Sequence, residues 1–215
     1  MTELPDPLSR RDSQRRTRTA LVAAARQVFS EDGYHAAGLA RIARVAGYSK
    51  GAVYSNFDGK SALFLAVLDE NLELADADPH HDPFDRVAEP DSTGRSIAEG
   101  EGYPQHATQG FALATLEFIA SAARDETLAP QLHKRMRRLL DRYETVARDS
   151  RADHETLTTA QVGSLLAALD QGTGLLLLAG DVLPDRAIFT AGVRRLLDPA
   201  RAADEDGRAE DHRAR

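Results

Sequence analysis

The 215-residue sequence contains no cysteine, so neither disulfide bonds nor thiolate metal sites can form. Its apolar runs, such as Leu175 to Ala179, are far too short to cross a bilayer. The charged N-terminal residues also lack the apolar segment of a signal peptide. The sequence therefore predicts a cytoplasmic protein with no membrane partner.

Motifs of the common hydrolytic enzymes are missing as well. The sequence has no G-x-S-x-G elbow, no H-E-x-x-H and no phosphate-binding loop. Its histidines are scattered over different predicted helices and loops. An enzyme is therefore a remote alternative, and no catalytic residue or cofactor is predicted.

One short cluster, His80-His81-Asp82, contains the ligand types of a zinc site. Prolines flank the cluster, and no further ligands follow at a regular spacing. A solvated loop explains these residues better, so no metal site is predicted.

Residues that favour helices are abundant. Alanine, leucine, arginine and glutamate are plentiful, and apolar residues recur at helical spacing along most of the chain. We therefore predict an all-α fold. Its expected helices span about 14–31, 38–46, 50–56, 60–75, 108–124, 128–150, 155–179 and 185–197.

These helices fall into two groups. A flexible connection rich in proline and glycine, 76–106, separates an N-terminal domain, 14–75, from a C-terminal domain, 107–198. Residues 1–13 are predicted to be a disordered basic arm and residues 199–215 a disordered tail, because neither has apolar periodicity.

Charge is distributed unevenly along the chain. Residues 10–60 contain ten basic and four acidic groups, a net charge of +6, whereas the whole chain carries −7. A basic N-terminal region on an acidic protein suggests a polyanionic partner. A solvated basic helix surface would account for the same charges.

The second and third predicted helices are joined by the short turn Ala46-Gly47-Tyr48. Two helices joined in this way form a helix-turn-helix, here over 38–57, whose second helix can lie in the major groove of DNA. Ser49 is a natural N-cap for that helix, and Gly51 would let the helix backbone approach DNA closely.

Residues around this turn have the chemistry of DNA contacts. Lys50 can donate to a phosphate or to guanine acceptor atoms, the Tyr54 hydroxyl can donate to a phosphate, and Lys60 can hold the strand from the next helix. Each residue alone could be ordinary surface, but together they indicate DNA binding. The predicted contacts are Arg16, Arg18, Gly38, Arg41, Tyr48, Ser49, Lys50, Gly51, Ala52, Tyr54, Ser55, Asn56 and Lys60.

A resemblance to the DNA-binding domain of the TetR family of bacterial transcriptional regulators covers residues 16–75. It is carried by VFSEDGYHAAGLARIARVAGYSKGAVYSNFDGKSALFLAV. The family features in this stretch are Phe29, Gly33-Tyr34, Ile42 to Gly47, Ser49-Lys50-Gly51, Tyr54, Phe57 and Lys60. The chain departs from the family at Ala37, where a threonine usually caps the second helix, at Tyr48, and at Ser55-Asn56.

The resemblance implies a homodimeric repressor that a small-molecule effector releases from a palindromic operator. A palindrome independently requires two DNA-binding units related by a two-fold axis. The last two helices offer apolar faces for this contact, although the same faces could close the core of the monomer. The predicted dimer residues are Leu165, Leu169, Leu176, Ile188 and Val193.

An effector pocket is predicted around the apolar helix 108–124, which should be buried because it has almost no polar face. Glu117 lies on this helix and needs a partner; an arginine such as Arg137 or Arg142 is favoured over a cationic ligand. An activator or architectural DNA-binding protein without an effector is the alternative function. The predicted pocket residues are Phe111, Thr115, Glu117, Phe118, Met136, Tyr143 and Asp170.

Overall fold

The computed structural model describes residues 10–77, 105–152, 156–179 and 186–199, and all regular secondary structure in these ranges is helical. The all-α prediction is therefore confirmed. In these ranges, no helix is long and apolar enough to cross a membrane. The His80-His81-Asp82 cluster and nearly all of the predicted connection and terminal segments lie outside the described residues.

Each predicted helix corresponds to one helix of the structure. These helices are α1 Arg10–Ala36, α2 Leu39–Val45, α3 Lys50–Tyr54, α4 Lys60–Ala77, α5 Gln105–Ala122, α6 Ala129–Ser150, α7 Thr159–Leu178 and α8 Arg186–Leu197.

Two helix starts differ from the prediction for local reasons. Helix α1 already begins at Arg10, so residues 10–13 are helical and not part of a disordered arm; Asp12 favours this start, since an acidic group stabilises the first turn. Helix α7 begins at Thr159 because Thr158 and Gln161 form a reciprocal capping box. The amide of Gln161 donates to the Thr158 hydroxyl, and the amide of Thr158 donates to the Gln161 side chain.

The chain forms two compact units. The described residues of unit 1 lie within Met1–Leu74 and Glu99–Leu132, and those of unit 2 within Ala75–Ala98 and His133–Arg215. Helix α5, which was assigned to the C-terminal domain, thus lies in the same unit as α1, α2 and α3. At Gly110, a Cβ atom would lie 2.0 Å from the carbonyl oxygen of Ser30, so α5 packs directly on the α1 backbone.

An aromatic cluster forms the centre of unit 1. The Phe64 ring lies 4.8 Å from Phe29, 5.5 Å from Phe111 and 4.6 Å from Phe118, and Tyr34 lies 5.1 Å from Phe118. These contacts join α1, α4 and α5 through large apolar surfaces in favourable ring geometries.

The prediction that α5 would be buried all round was wrong. Ala114, Phe118 and Ala122 are fully buried, whereas Leu113 and Leu116 are exposed. Helix α5 packs against α1 along one side, and its other apolar side stays open to solvent.

Unit 2 has its own core. Tyr143 from α6, Leu166 from α7, and Phe189 with Val193 from α8 are buried together. At Gly163, a Cβ atom would lie 2.6 Å from the backbone nitrogen of Glu144, so α7 crosses α6 at backbone distance. Gly163 therefore serves helix packing within one chain.

Candidate nucleic-acid interface

The helix-turn-helix is held in unit 1 by its apolar side chains. Ile42 of α2 and Val53 of α3 are fully buried, and Phe57 is buried directly after α3. Tyr34, near the end of α1, is buried as well. Burial of these residues fixes α2 and α3 on the same core and leaves their opposite sides in solvent.

The turn between α2 and α3 has the geometry of a glycine C-cap. Gly47 has a φ of 76°, a left-handed conformation that side chains disfavour. The amide of Gly47 donates to the carbonyl of Arg44 at 3.1 Å, and the amide of Tyr48 donates to that of Ala43 at 2.8 Å. This pair of hydrogen bonds ends α2 in a Schellman motif and confirms the predicted turn.

Helix α3 begins as the sequence predicts. Ser49 has extended backbone angles, and its hydroxyl accepts a hydrogen bond from the amide of Ala52 at 3.3 Å. The cap leaves the first backbone amides of the helix directed outward, as at any helix N-terminus.

Much of the predicted DNA-contact set lies on one exposed stretch around the start of α3. Tyr48, Ser49, Lys50 and Gly51 are exposed, and Tyr54 is 56% exposed. The Lys50 ammonium lies 5.7 Å from the centroid of the Tyr54 ring, within reach of a cation–π contact. Others of the set are also exposed, namely Arg16, Gly38 and Ser55, whereas Ala52 is half-buried.

Gly51 is not required by the fold. It lies within α3, and a Cβ atom there would meet the Ser49 hydroxyl at 3.6 Å, an ordinary van der Waals distance. Glycine at a helical position makes the helix less stable than alanine does, by about 1 kcal/mol. A residue that costs stability without relieving a clash suggests that something outside the protein needs the space.

Arg18 and Asn56 are engaged at the end of α3. The Arg18 guanidinium donates to the carbonyl of Asn56 at 2.9 Å and lies 4.2 Å from the centroid of the Phe57 ring. The Asn56 amide group donates to the carbonyl of Ala52 at 2.8 Å. These contacts hold the α3 terminus, so any DNA contact by Arg18 or Asn56 would have to form beside or replace them.

Arg41 forms ion pairs with Glu31 and Asp32 of α1. The hydrogen bond to Asp32 is the main reason that the pKa of Arg41 is raised. Because two carboxylates offset its charge, Arg41 ties α2 to α1 instead of presenting a free cation.

Lys60, predicted to hold the DNA strand, has two contacts inside unit 1. Its ammonium donates to the carbonyl of His35 at 2.8 Å and to that of Ala37 at 3.3 Å, and lies 4.9 Å from the Tyr34 ring centroid. A lysine ammonium has three N–H donors, so one remains for a phosphate.

The start of α2 lacks the capping side chain that is usual in the TetR family. The N-cap is Gly38, which has no side chain with which to cap the helix, and Ala37 is buried just before it. The expectation that residue 37 would be the cap position was wrong by one residue, and the cap hydroxyl is missing at the position that needs it.

The predicted effector residues fall in both units. In unit 1, Phe111 and Phe118 belong to the aromatic cluster, and the Thr115 hydroxyl donates to the carbonyl of Phe111 at 2.9 Å. In unit 2, Met136 is half-buried and the Tyr143 hydroxyl donates to Asp170, whose side chain is buried.

The partner expected for Glu117 was wrong. Its carboxylate accepts a hydrogen bond from the backbone amide of His35 at 2.9 Å, and its acceptor role is thus satisfied by main chain, not by Arg137 or Arg142. The sequence identifies Glu117 as a polar residue that needs a partner, but His35 lies far away in the chain and no motif marks it.

The predicted dimer residues divide between the surface and the core of unit 2. Leu165, Leu176 and Ile188 are exposed, with Ile188 66% exposed. Val193 is buried in the core and Leu169 packs against it. Both therefore help to close the core of the monomer, the alternative left open from the sequence, and a part for them in a dimer stays a prediction.

Comparisons with known proteins agree with this architecture. Residues 21–67 match the sequence profile of the bacterial regulatory proteins of the tetR family. The HTH-type transcriptional regulator UidR of Escherichia coli K12 is 27% identical over 184 residues, which cover 84% of this chain and 91% of UidR. The HTH-type transcriptional activator FasR of Mycolicibacterium smegmatis is 46% identical over 56 residues, 26% of each chain.

Solved structures show the same fold. A crystal structure assigned to a TetR-family transcriptional regulator from Rhodococcus sp. aligns with a TM-score of 0.62 at 18% identity, covering 85% of this chain and 99% of that one. The resemblance stated from the sequence is therefore confirmed. The chain belongs to the TetR family of bacterial transcriptional regulators and is a DNA-binding regulator of transcription.

Proposed function

We propose that the protein is a homodimeric repressor that a small-molecule effector releases from palindromic operator DNA. The observation that carries the DNA-binding part is the exposed stretch from Tyr48 to Tyr54, with a glycine at position 51 that the fold does not need. The rest of the proposal draws on the family to which the chain belongs.

The exposed stretch suits the major groove. Lys50 supplies a cation for phosphate or guanine, and the hydroxyls of Tyr48, Ser49 and Tyr54 supply neutral donors to the backbone. Gly51 lets the helix approach closely, and the remaining donor of Lys60 can reach a phosphate. We propose supporting roles for Arg18, Arg41 and Asn56, because their polar groups are engaged inside unit 1.

The proposed dimer surface lies on α7 and α8. Leu165 and Leu176 of α7 and Ile188 of α8 are exposed. Within the described residues, a Cβ atom at Gly172 or Gly174 would meet no atom within 4 Å. An exposed apolar face with glycines that contact no other atoms allows a partner helix to pack closely. A second copy of the chain supplies that partner helix with two-fold symmetry.

Release by an effector requires two arrangements of the dimer, one that binds the operator tightly and one that binds it weakly. An effector can weaken operator binding only if it binds the low-affinity arrangement more tightly than the DNA-bound one. The hydrogen-bonded pair Tyr143 and Asp170, together with Met136, supplies polar and apolar groups for such a ligand in unit 2.

An activator is the second candidate, because FasR is an HTH-type transcriptional activator. The match to FasR covers only 26% of this chain, so it does not carry the role of FasR over to the whole protein. It does not favour either sign of regulation. Transcription measured from a bound promoter, with and without the protein, decides between repression and activation.

The first test measures binding of duplexes that cover the DNA upstream of the protein's own gene, at one fixed salt concentration. Lys50→Ala should weaken binding about tenfold, within the ~1–3 kcal/mol of a good contact to DNA. The matched control is Lys134→Ala, at an exposed position of α6, which removes the same charge and should change affinity less than about twofold. Equal affinities for both variants would refute the proposed interface.

A further inference from the structure

The main chain of His35 is held from both sides in unit 1. Its amide donates to the Glu117 carboxylate of α5 at 2.9 Å, and its carbonyl accepts from the Lys60 ammonium of α4 at 2.8 Å. The His35 ring is also engaged, since its Nε2 lies 3.3 Å from the Ser121 hydroxyl. One peptide segment at the end of α1 thus connects to two other helices.

Gly33 makes room for this arrangement. Its φ of 77° and ψ of 173° break the helical path of α1, a conformation open essentially only to glycine. A Cβ atom at Gly33 would lie 2.8 Å from one oxygen of Glu117. The carboxylate therefore occupies the space above Gly33, next to the amide that it binds.

The segment from Gly33 to Gly38 leads directly into the helix-turn-helix. Helix α2 begins at Leu39, and its N-cap Gly38 makes no side-chain hydrogen bond. Because the usual hydroxyl cap is absent, hydrogen bonds and ion pairs with other helices contribute more to fixing the residue at which α2 begins. Glu117 and Lys60 are two such contacts, and Arg41 adds a third from α2 itself to α1.

We infer that Glu117 is a positioning residue for DNA binding: its carboxylate anchors the His35 amide and thereby sets the orientation of α2 and α3. Glu117 itself does not touch DNA. The inference rests on the DNA-binding function and assigns a part in it to a residue of α5, outside the residues matched by the family profile.

Long-range electrostatics predicts the opposite result for a change at this position. Removing a carboxylate from a protein of net charge −7 should strengthen its attraction to DNA. Loss of the anchor should weaken specific binding, because the arrangement of α2 and α3 that fits DNA would be less populated.

The experiment compares two neutral replacements of nearly equal size, Glu117→Gln and Glu117→Met. Glutamine keeps an oxygen that can accept from the His35 amide, whereas methionine has only a weak sulfur acceptor. Because both lose the charge, their difference isolates the hydrogen bond. Glu73→Gln, at an exposed position of α4, measures the effect of charge alone.

The probes are a duplex selected from a random pool by the wild-type protein and an unrelated duplex of the same length. Glu117→Met should bind the selected duplex about three- to tenfold more weakly than Glu117→Gln, as the loss of one hydrogen bond predicts. The two variants should bind the unrelated duplex equally, since non-specific binding depends on charge. A merely destabilised protein would instead lose both activities in proportion.

Amide hydrogen exchange of His35, followed by NMR, gives an independent measurement. The amide should be protected in the wild type and in Glu117→Gln, and it should exchange faster in Glu117→Met. Equal affinities of the two variants for the selected duplex, or equal His35 protection, would overturn the inference. A wild-type protein that binds no duplex would instead overturn the DNA-binding function itself.

Discussion

Gly51 makes the isolated fold less stable than alanine would at the same position. It lies in α3, where a Cβ atom would contact only the Ser49 hydroxyl, at 3.6 Å. The same absent side chain would let the α3 backbone approach the floor of a DNA groove. Fold stability and DNA binding therefore make opposite demands on this residue, which allows them to be separated by one substitution.

Gly51→Ala should raise the free energy of unfolding by about 0.5–1 kcal/mol, since alanine is the better helix former. It should also weaken operator binding about tenfold or more, because the methyl group would lie between the helix and the DNA. Thermal unfolding measures the expected rise in stability, and gel-shift titration of the same preparation measures the expected loss of DNA affinity.

Gly47→Ala provides the contrast. Gly47 has a φ of 76°, so alanine there should lower the free energy of unfolding by about 1–2 kcal/mol. A Gly51→Ala variant that binds DNA like the wild type would show that no close approach occurs at α3.

Residues with a strong local backbone requirement could be predicted from the sequence. Gly47 ends α2 and Ser49 caps α3 for reasons contained within a few neighbouring residues. The roles of Arg18, Arg41 and Glu117 could not be predicted, because each depends on a partner brought close only by the tertiary fold. From the sequence alone, an arginine in a basic region is interpreted as a phosphate ligand, because its partner within the fold is not visible.

At the scale of elements, helical periodicity predicts that a helix exists but not what it packs against. The apolar pattern of α5 predicts a buried helix but not its neighbour. In the structure α5 lies in the same unit as α1, and Gly110 of α5 lies against the α1 backbone. Small residues mark close helix crossings, but the sequence does not say whether the crossing is within a chain or between chains. Gly163 of α7 marks a crossing within the chain, and we propose that Gly172 of α7 marks a crossing between chains.

Gly163→Ala and Gly172→Ala should therefore change the stability of the protein in opposite directions. A Cβ atom at Gly163 would lie 2.6 Å from the backbone nitrogen of Glu144, so alanine should destabilise the fold by about 1–3 kcal/mol through overpacking.

At Gly172 a Cβ atom would meet nothing within 4 Å in the described residues, so alanine should add up to about 1 kcal/mol to the stability of a monomer. Chemical denaturation at low protein concentration measures both changes. Equal effects of the two substitutions would mean that α7 does not cross α6 as closely as Gly163 indicates.

At the scale of the whole molecule, the proposed repressor works only as a pair. One helix-turn-helix contacts about one half-site, and affinity for a palindrome comes from two units held at the spacing of successive major grooves. A change on the proposed dimer surface should therefore reduce operator binding to the level of a single half-site without altering any residue proposed to contact DNA. The exposed apolar residues of α7 and α8 are the positions at which this can be tested.

Ile188→Glu places a charge at an exposed apolar position of α8, where Ile188 is 66% exposed in the single chain. The monomer should fold normally, because the glutamate can remain in water. In a dimer the charge would be buried twice, once from each copy, so the dimer dissociation constant should rise at least about 100-fold, or roughly 2.7 kcal/mol. Leu113→Glu introduces the same charge at an exposed position of α5, which is not part of the proposed surface, and should leave the dimer intact.

Sedimentation velocity at micromolar concentration should then show a monomer for Ile188→Glu and a dimer for Leu113→Glu. Binding to a full palindrome should fall to the level of a single half-site only for Ile188→Glu, since its DNA-contacting residues are unchanged. If Ile188→Glu remained dimeric and bound the palindrome with wild-type affinity, the partner would have to pack on a different face, and the open glycines of α7 would need another explanation.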